Sequence, residues 1–148
     1  MTIKDNQIYD LNLSSKFPNN EDFKIFIKTN QNKEKITTVF TNYAKPLVKK
    51  YKFIKGFEDG SLDFSSTKIN NISKSKLIID NFKVQEVPVL AKILTLASLQ
   101  GIADLLTGEG VRFTDFEMIY SNKGDLMTIH EIYAIGPAIS LMMEGYVE

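Results

Sequence analysis

Lys76–Phe116 reads KLIIDNFKVQEVPVLAKILTLASLQGIADLLTGEGVRFTDF, and the order of elements in it decides the fold expectation. It starts with an alternating, β-branched run from Leu77 to Val84, the pattern of a strand. Val87-Pro88 leads into a long apolar stretch, with Pro88 in a first helical turn, where its missing N–H costs nothing. Val89, Leu90, Ile93, Leu94, Leu96, Ala97, Leu99, Ile102, Leu105 and Leu106 cover more than one helical face. The spacing predicts one long apolar helix over about 87–106. Such a helix is buried, or it meets a partner or lipid. Thr107-Gly108-Glu109-Gly110 ends it, with Gly108 as a positive-φ cap, and a new strand starts at Val111.

Working outward, Ile8, Leu11 and Leu13 suggest a first strand that ends at Phe17-Pro18, and Phe23–Lys28 alternates as a half-buried strand. Ile36, Val39, Phe40, Tyr43 and Leu47 fall at helical spacing and predict a shorter helix near 36–50, ended or kinked by Pro46. Turn and strand signals return over 53–67. Downstream, strands are expected over 111–120, 125–135 and 138–147, separated by Asn122-Lys123-Gly124 and Gly136-Pro137. Connections this short make neighbours antiparallel. Alternation groups Phe116, Met118 and Tyr120 on one face with Val111 and Phe113 on the other. It also groups Met127, Ile129, Tyr133 and Ile135, and then Ile139, Leu141, Met143 and Val147. The expected class is α+β: a twisted, groove-like antiparallel sheet with the two helices, in one domain over 1–148, with poor order expected over residues 1–20.

Composition narrows the function. Lys+Arg and Asp+Glu are both 18, so the formal net charge is zero, and no clustered positive excess is present for nucleic acid. The one basic run, Lys45–Lys55, reads as a solvated face. The chain has no cysteine, which removes disulfides, thiolate metal sites and cysteine nucleophiles. The N-terminal stretch lacks the apolar core and cleavage site of a signal peptide. The most apolar segment, Val87–Leu106, carries Lys92, Gln100 and Asp104 and does not read as a transmembrane helix.

Nothing in the pattern forms a catalytic constellation. His130 is the only histidine, so a two-histidine metal site is out of reach, and it reads as a structural or exposed residue. Ser65, Ser66, Ser98 and Ser140 sit in no nucleophile-elbow context. Gly108-Glu109-Gly110 follows a helix rather than preceding one, so it is not a phosphate cradle. Asp59, Asp63, Asp80, Asp104, Glu109 and Asp115 are scattered at turns and strand edges with no EF-hand spacing. The reading is non-enzymatic, with no metal and no cofactor.

Several of these residues carry a family resemblance. Lys76–Val84 with Val87-Pro88-Val89-Leu90 resembles the strand and helix start of the C-terminal region of the AsmA-like superfamily, in particular its YhdP-type envelope proteins. Leu105–Phe113 resembles the helix exit, and Gly136-Pro137-Ala138 with Glu144–Glu148 resembles the closing hairpin. The match is specific over residues 75–148, moderate over 23–74, where Asn42–Leu47 and Gly56–Leu62 fit more loosely, and absent over 1–20. The resemblance implies a long antiparallel sheet bent into an apolar groove, carrying phospholipid between the inner and outer membranes. It implies a periplasmic or inner-membrane-associated location, with membrane association only indirect in this chain. Its size and lack of a membrane helix make it similar to a terminal piece of such a protein.

The expectation is a non-catalytic cell-envelope module that binds phospholipid acyl chains through Leu90, Ile93, Leu94, Ala97, Phe113, Ile129, Leu141 and Met143. Met118, Met127, Met142 and Met143 suit a surface that accepts varied chains. The alternative is a fragment that pairs, through its sheet edge or apolar helix, with the remainder of a split AsmA-like protein, or a remnant without function.

Overall fold

The computed structural model describes residues 1–49, 55–96 and 99–147, without the side chains of Val89, Leu90, Ile93, Gln100, Thr107, Tyr146 and Val147. Strands β1 (Thr2–Lys4), β2 (Gln7–Lys16), β3 (Asp22–Thr29) and β4 (Lys35–Thr41) lead to a short helix α1 (Lys45–Val48). Then come β5 (Lys55–Ile69), β6 (Ile72–Gln85), the helices α2 (Pro88–Leu96) and α3 (Gln100–Thr107), and β7 (Val111–Lys123), β8 (Leu126–Ile135) and β9 (Ser140–Val147). All nine strands lie in one sheet whose spatial order is the sequence order, and every neighbouring pair is antiparallel. Tight turns make this possible. Asp5 and Asn6 both take positive φ between β1 and β2, as does Asn70 between β5 and β6, and two-residue hairpins require this backbone.

The α+β expectation is overturned. Among the described residues the chain is mostly sheet, and its helices are short. No single helix covers 87–106: Leu99 is non-helical (φ −101°, ψ 46°), and its N–H bonds to Leu94 O at 2.8 Å across the break. Core burial explains the split. A continuous 20-residue helix would run about 30 Å. Folded back, α2 and α3 pack on each other and put Leu94, Ala103 and Leu106 into one core. Gly108 has φ −93°, so the positive-φ role falls to Gly110 (φ +89°), whose N–H bonds to Leu105 O at 2.7 Å.

The expected helix near 36–50 is mostly strand. Ile36-Thr37-Thr38-Val39 is a β-branched run whose side chains suit a pleated surface better than a helical turn. It lies in β4, paired on both sides with β3 and β5. Pro46 sits at the start of α1 instead of ending a helix. Near the N-terminus, Thr2–Lys4 and Gln7–Lys16 form β1 and β2.

The buried core lies at one end of the sheet, on one face. Leu62, Ile79 and Ala134 from the regular strands meet Phe57, Phe82, Val84, Val111 and Phe113. Ala44 just before α1, Val48 in α1, Leu94 of α2 and Leu106 of α3 close it over. Phe82 is the hub: its ring lies 5.3 Å from Phe57, 5.5 Å from Phe113 and 6.1 Å from Phe116. Phe113 and Phe116 therefore share a side, against the strict alternation expected. The ladder skips from Asp80↔Asp115 to Phe82↔Phe113. Asn81, at φ +52°, supplies the kink that turns Phe82 inward. Gly60 (φ +82°) leaves room beside it, since a Cβ there would stand 3.0 Å from that of Phe82. Buried Thr41 is satisfied locally: its hydroxyl accepts the Tyr43 N–H at 2.9 Å and donates to Tyr43 O at 3.2 Å.

Candidate functional site

Residues directly opposite each other in a ladder share a face, so the registers define rows that cross the sheet. The row nearest the helices runs Phe23, Thr41, Leu62, Ile79, Phe116, Ala134 and Leu141, and is largely buried. Two residues along each strand, on the same face, lies Leu13, Ile25, Val39, Phe64, Leu77, Met118, Ile132 and Met143. This row is apolar in each of the eight strands it crosses, β2–β9, and among the described residues no helix seals it: Leu13 is exposed and the other seven are half-buried. Its seven inter-strand gaps of ~4.8 Å give a length of roughly 34 Å.

The next row turns polar. It holds Leu11, Ile27, Thr37, Ser66, Ser75, Tyr120, Ile129 and Gly145, and Ser75 Oγ donates to Ser66 Oγ at 2.9 Å. The last row brings Thr29, Lys35, Lys68, Ser73, Asn122 and Met127 together. This inner face thus grades from sealed core, through an open apolar band, to hydroxyls and then lysines.

The outer face mixes charged residues with apolar ones, among them Phe40, Ile78, Ile119 and Tyr133. Its central rows include Lys24, Asp63, Lys76, Glu117 and Glu131, and Lys76 Nζ pairs with Glu117 Oε1 at 2.9 Å. Asp80 and Asp115 stand opposite each other there. Burial raises the Asp80 carboxyl above its ordinary value, and the charges of Asp115 and then Asp63 add to the shift. His130 is exposed, with Nε2 2.8 Å from Ser121 Oγ, beside an open concavity of about 400 Å³ lined by Ser65, Lys74 and Lys76. Among the described residues no group of three or more His, Cys, Asp or Glu is disposed to hold a metal ion.

The residues expected to face lipid are divided by the fold. Ile129, Leu141 and Met143 lie half-buried on the inner face, in three adjacent rows. Leu94 and Phe113 are core residues, 1% and 3% exposed, sealed beneath or beside the helices. Ala97 and the side chains of Leu90 and Ile93 lie outside the described residues. On the helical cover the exposed leucines are Leu96, Leu99 and Leu105.

Most of the open band was missed in the sequence. Val39 was masked by the helical reading of β4. Ile132 was masked because alternation placed Tyr133 and Ile135 with Met127 and Ile129. The ladder shift between Ile119 and Tyr120 leaves His130 as an extra residue in β8. That bulge moves Ile132 and Ala134 to the inner face and Tyr133 to the outer. A β-bulge carries no composition signal here, so only the register reveals it.

Among the described residues, no helix is long and apolar enough to cross a membrane. Compared with known proteins, the chain matches no family model, no curated sequence and no solved structure.

Proposed function

We propose that this chain is a non-catalytic module of AsmA-like type that holds phospholipid acyl chains on its inner face, as the terminal part of a lipid-carrying groove in the cell envelope. The observation that supports the reading most is the unbroken apolar row from Leu13 to Met143, left open beside a sealed core. A soluble sheet with one apolar face needs something to cover it. The helices cover only the row at one end. A leaflet of bilayer hydrocarbon is about 15 Å deep, half of the ~30 Å core, so a row of roughly 34 Å accommodates an acyl chain laid across several strands. The resemblance of residues 75–148 to the AsmA-like region supplies the envelope setting and the phospholipid class.

The test is native mass spectrometry of the purified protein after incubation with phospholipid. Bound phospholipid is expected, and a Met118→Ser/Ile132→Ser variant is expected to lose it while keeping its sheet by circular dichroism. Protein that stays free of lipid under these conditions refutes the reading.

A second reading has one observation in its favour. The apolar row reaches Met143 in β9, which among the described residues is hydrogen-bonded on one side only, with Met142 72% exposed. An open edge of this kind pairs readily with another strand, such as one from the remainder of a split protein. The same spectra would show it as a lipid-free heteromer or dimer.

A further inference from the structure

Lys35 and Lys68 are direct ladder partners across β4 and β5. They are the only charged residues in the four inner-face rows defined above. Like charges directly opposite each other oppose pairing. Elsewhere in the described sheet lysines on the strands meet a carboxylate, as at Lys76–Glu117 and Lys16–Asp22. None of the ion pairs found among the described residues involves Lys35 or Lys68. The neighbouring acid, Glu34, takes a 2.7 Å hydrogen bond from Asn30 Nδ2. The two lysines are therefore ladder partners with no carboxylate in the four rows named above, and Thr37 and Ser66, themselves ladder partners, lie one row away.

Their place in the gradient gives the pair its meaning. The lysines lie two rows from the apolar band along the strands, roughly 13 Å at ~3.3 Å per residue. An amphiphile whose tail lies on Val39, Phe64 and Leu77 would bring its polar end toward these ammonium groups. We propose that Lys35 and Lys68 form a site for the phosphate of an anionic lipid headgroup, held between the two ammonium groups with Thr37 and Ser66 as nearby hydroxyl donors. The site rests on the lipid reading above and deepens it: it sets which end of the lipid lies where, and it selects anionic over zwitterionic headgroups. Lysine suits such a role as a compact point charge on a flexible stem.

The test compares binding to vesicles of phosphatidylglycerol and of phosphatidylcholine, for the unaltered protein, for Lys35→Gln/Lys68→Gln, and for Lys24→Gln/Lys28→Gln on the outer face. The unaltered protein is expected to favour phosphatidylglycerol by about tenfold or more. The Lys35/Lys68 variant is expected to lose that preference while keeping its phosphatidylcholine binding, and the Lys24/Lys28 variant to keep both. Equal loss in the two variants would show a general charge effect and overturn the site. An unchanged preference in the Lys35/Lys68 variant overturns it as well, and in both cases the acyl-chain reading stands. Competition by inorganic phosphate alone, to completion, would reassign the pair to free phosphate and overturn the headgroup role. Absence of binding to either vesicle takes down the site and the acyl-chain reading together.

Discussion

Two leucine truncations distinguish the sealed end of this sheet from its open middle. Leu106 is 0% exposed, held by α3 against the core. Leu77 lies on β6 in the open apolar row and is half-buried. Leu106→Ala removes a fully packed side chain and leaves a cavity, at a cost of roughly 3–5 kcal/mol. Leu77→Ala gives up about half of a ~1.5–3 kcal/mol transfer term and leaves no closed void, so it should cost roughly 0.8–1.5 kcal/mol. In a chain of this size each kcal/mol moves Tm by about 2–4 °C. The expected losses are therefore about 6–20 °C for Leu106→Ala and about 2–6 °C for Leu77→Ala. Urea unfolding followed by circular dichroism measures both, with the slope m unchanged if the native sheet is intact. A Leu77→Ala cost equal to that of Leu106→Ala would mean that the row is covered in solution, and the open-face argument would fail.

Three further outcomes follow from the same geometry. Gly110→Ala should destabilise by about 1–3 kcal/mol, because φ is +89° and a Cβ would stand 2.8 Å from Val84 O; a neutral result in thermal denaturation would contradict that backbone. Asp80 holds its proton more tightly when folded, so its favourable contribution is full below the unfolded pKa and is lost as pH rises through the folded one. Asp80→Asn should accordingly raise Tm at pH 7, with the gain fading by about pH 3, and a pH-independent gain would rule out this cause. Leu96→Ser, at 79% exposure, should change stability by no more than ~0.5 kcal/mol; a large loss would place that leucine in contact with something.

Local chemistry was legible where it acts over a few residues. The run at Leu77–Val84 lies in β6, Pro88 opens α2, and Phe23–Lys28 lies in β3. Three readings failed for one shared reason: each depended on atoms distant in sequence. Ile36–Val39 satisfies both helical and strand spacing, and it is pairing with β3 and β5 that makes it β4. The stretch after Val87 is apolar on every side, which is compatible with one helix or two. The need to seat Leu94 and Leu106 in the same core selects two. Strict alternation assigned Tyr133 and Phe113 to faces that a bulge at His130 and a kink at Asn81 reassign. The candidate site inherits these errors, since Val39, Phe64, Leu77, Met118 and Ile132 become one row only when the registers are known.

The amino-acid order by itself settled the absence of cysteine, the balanced charge and the location of several turns, because these depend on residue type and near neighbours. Tertiary structure alone decided which side chains are sealed, which stand open together, and that two lysines 33 residues apart face each other. Face and row are properties of paired strands: a one-residue change in register sends every side chain to the opposite surface, and no single strand records its partner's alignment.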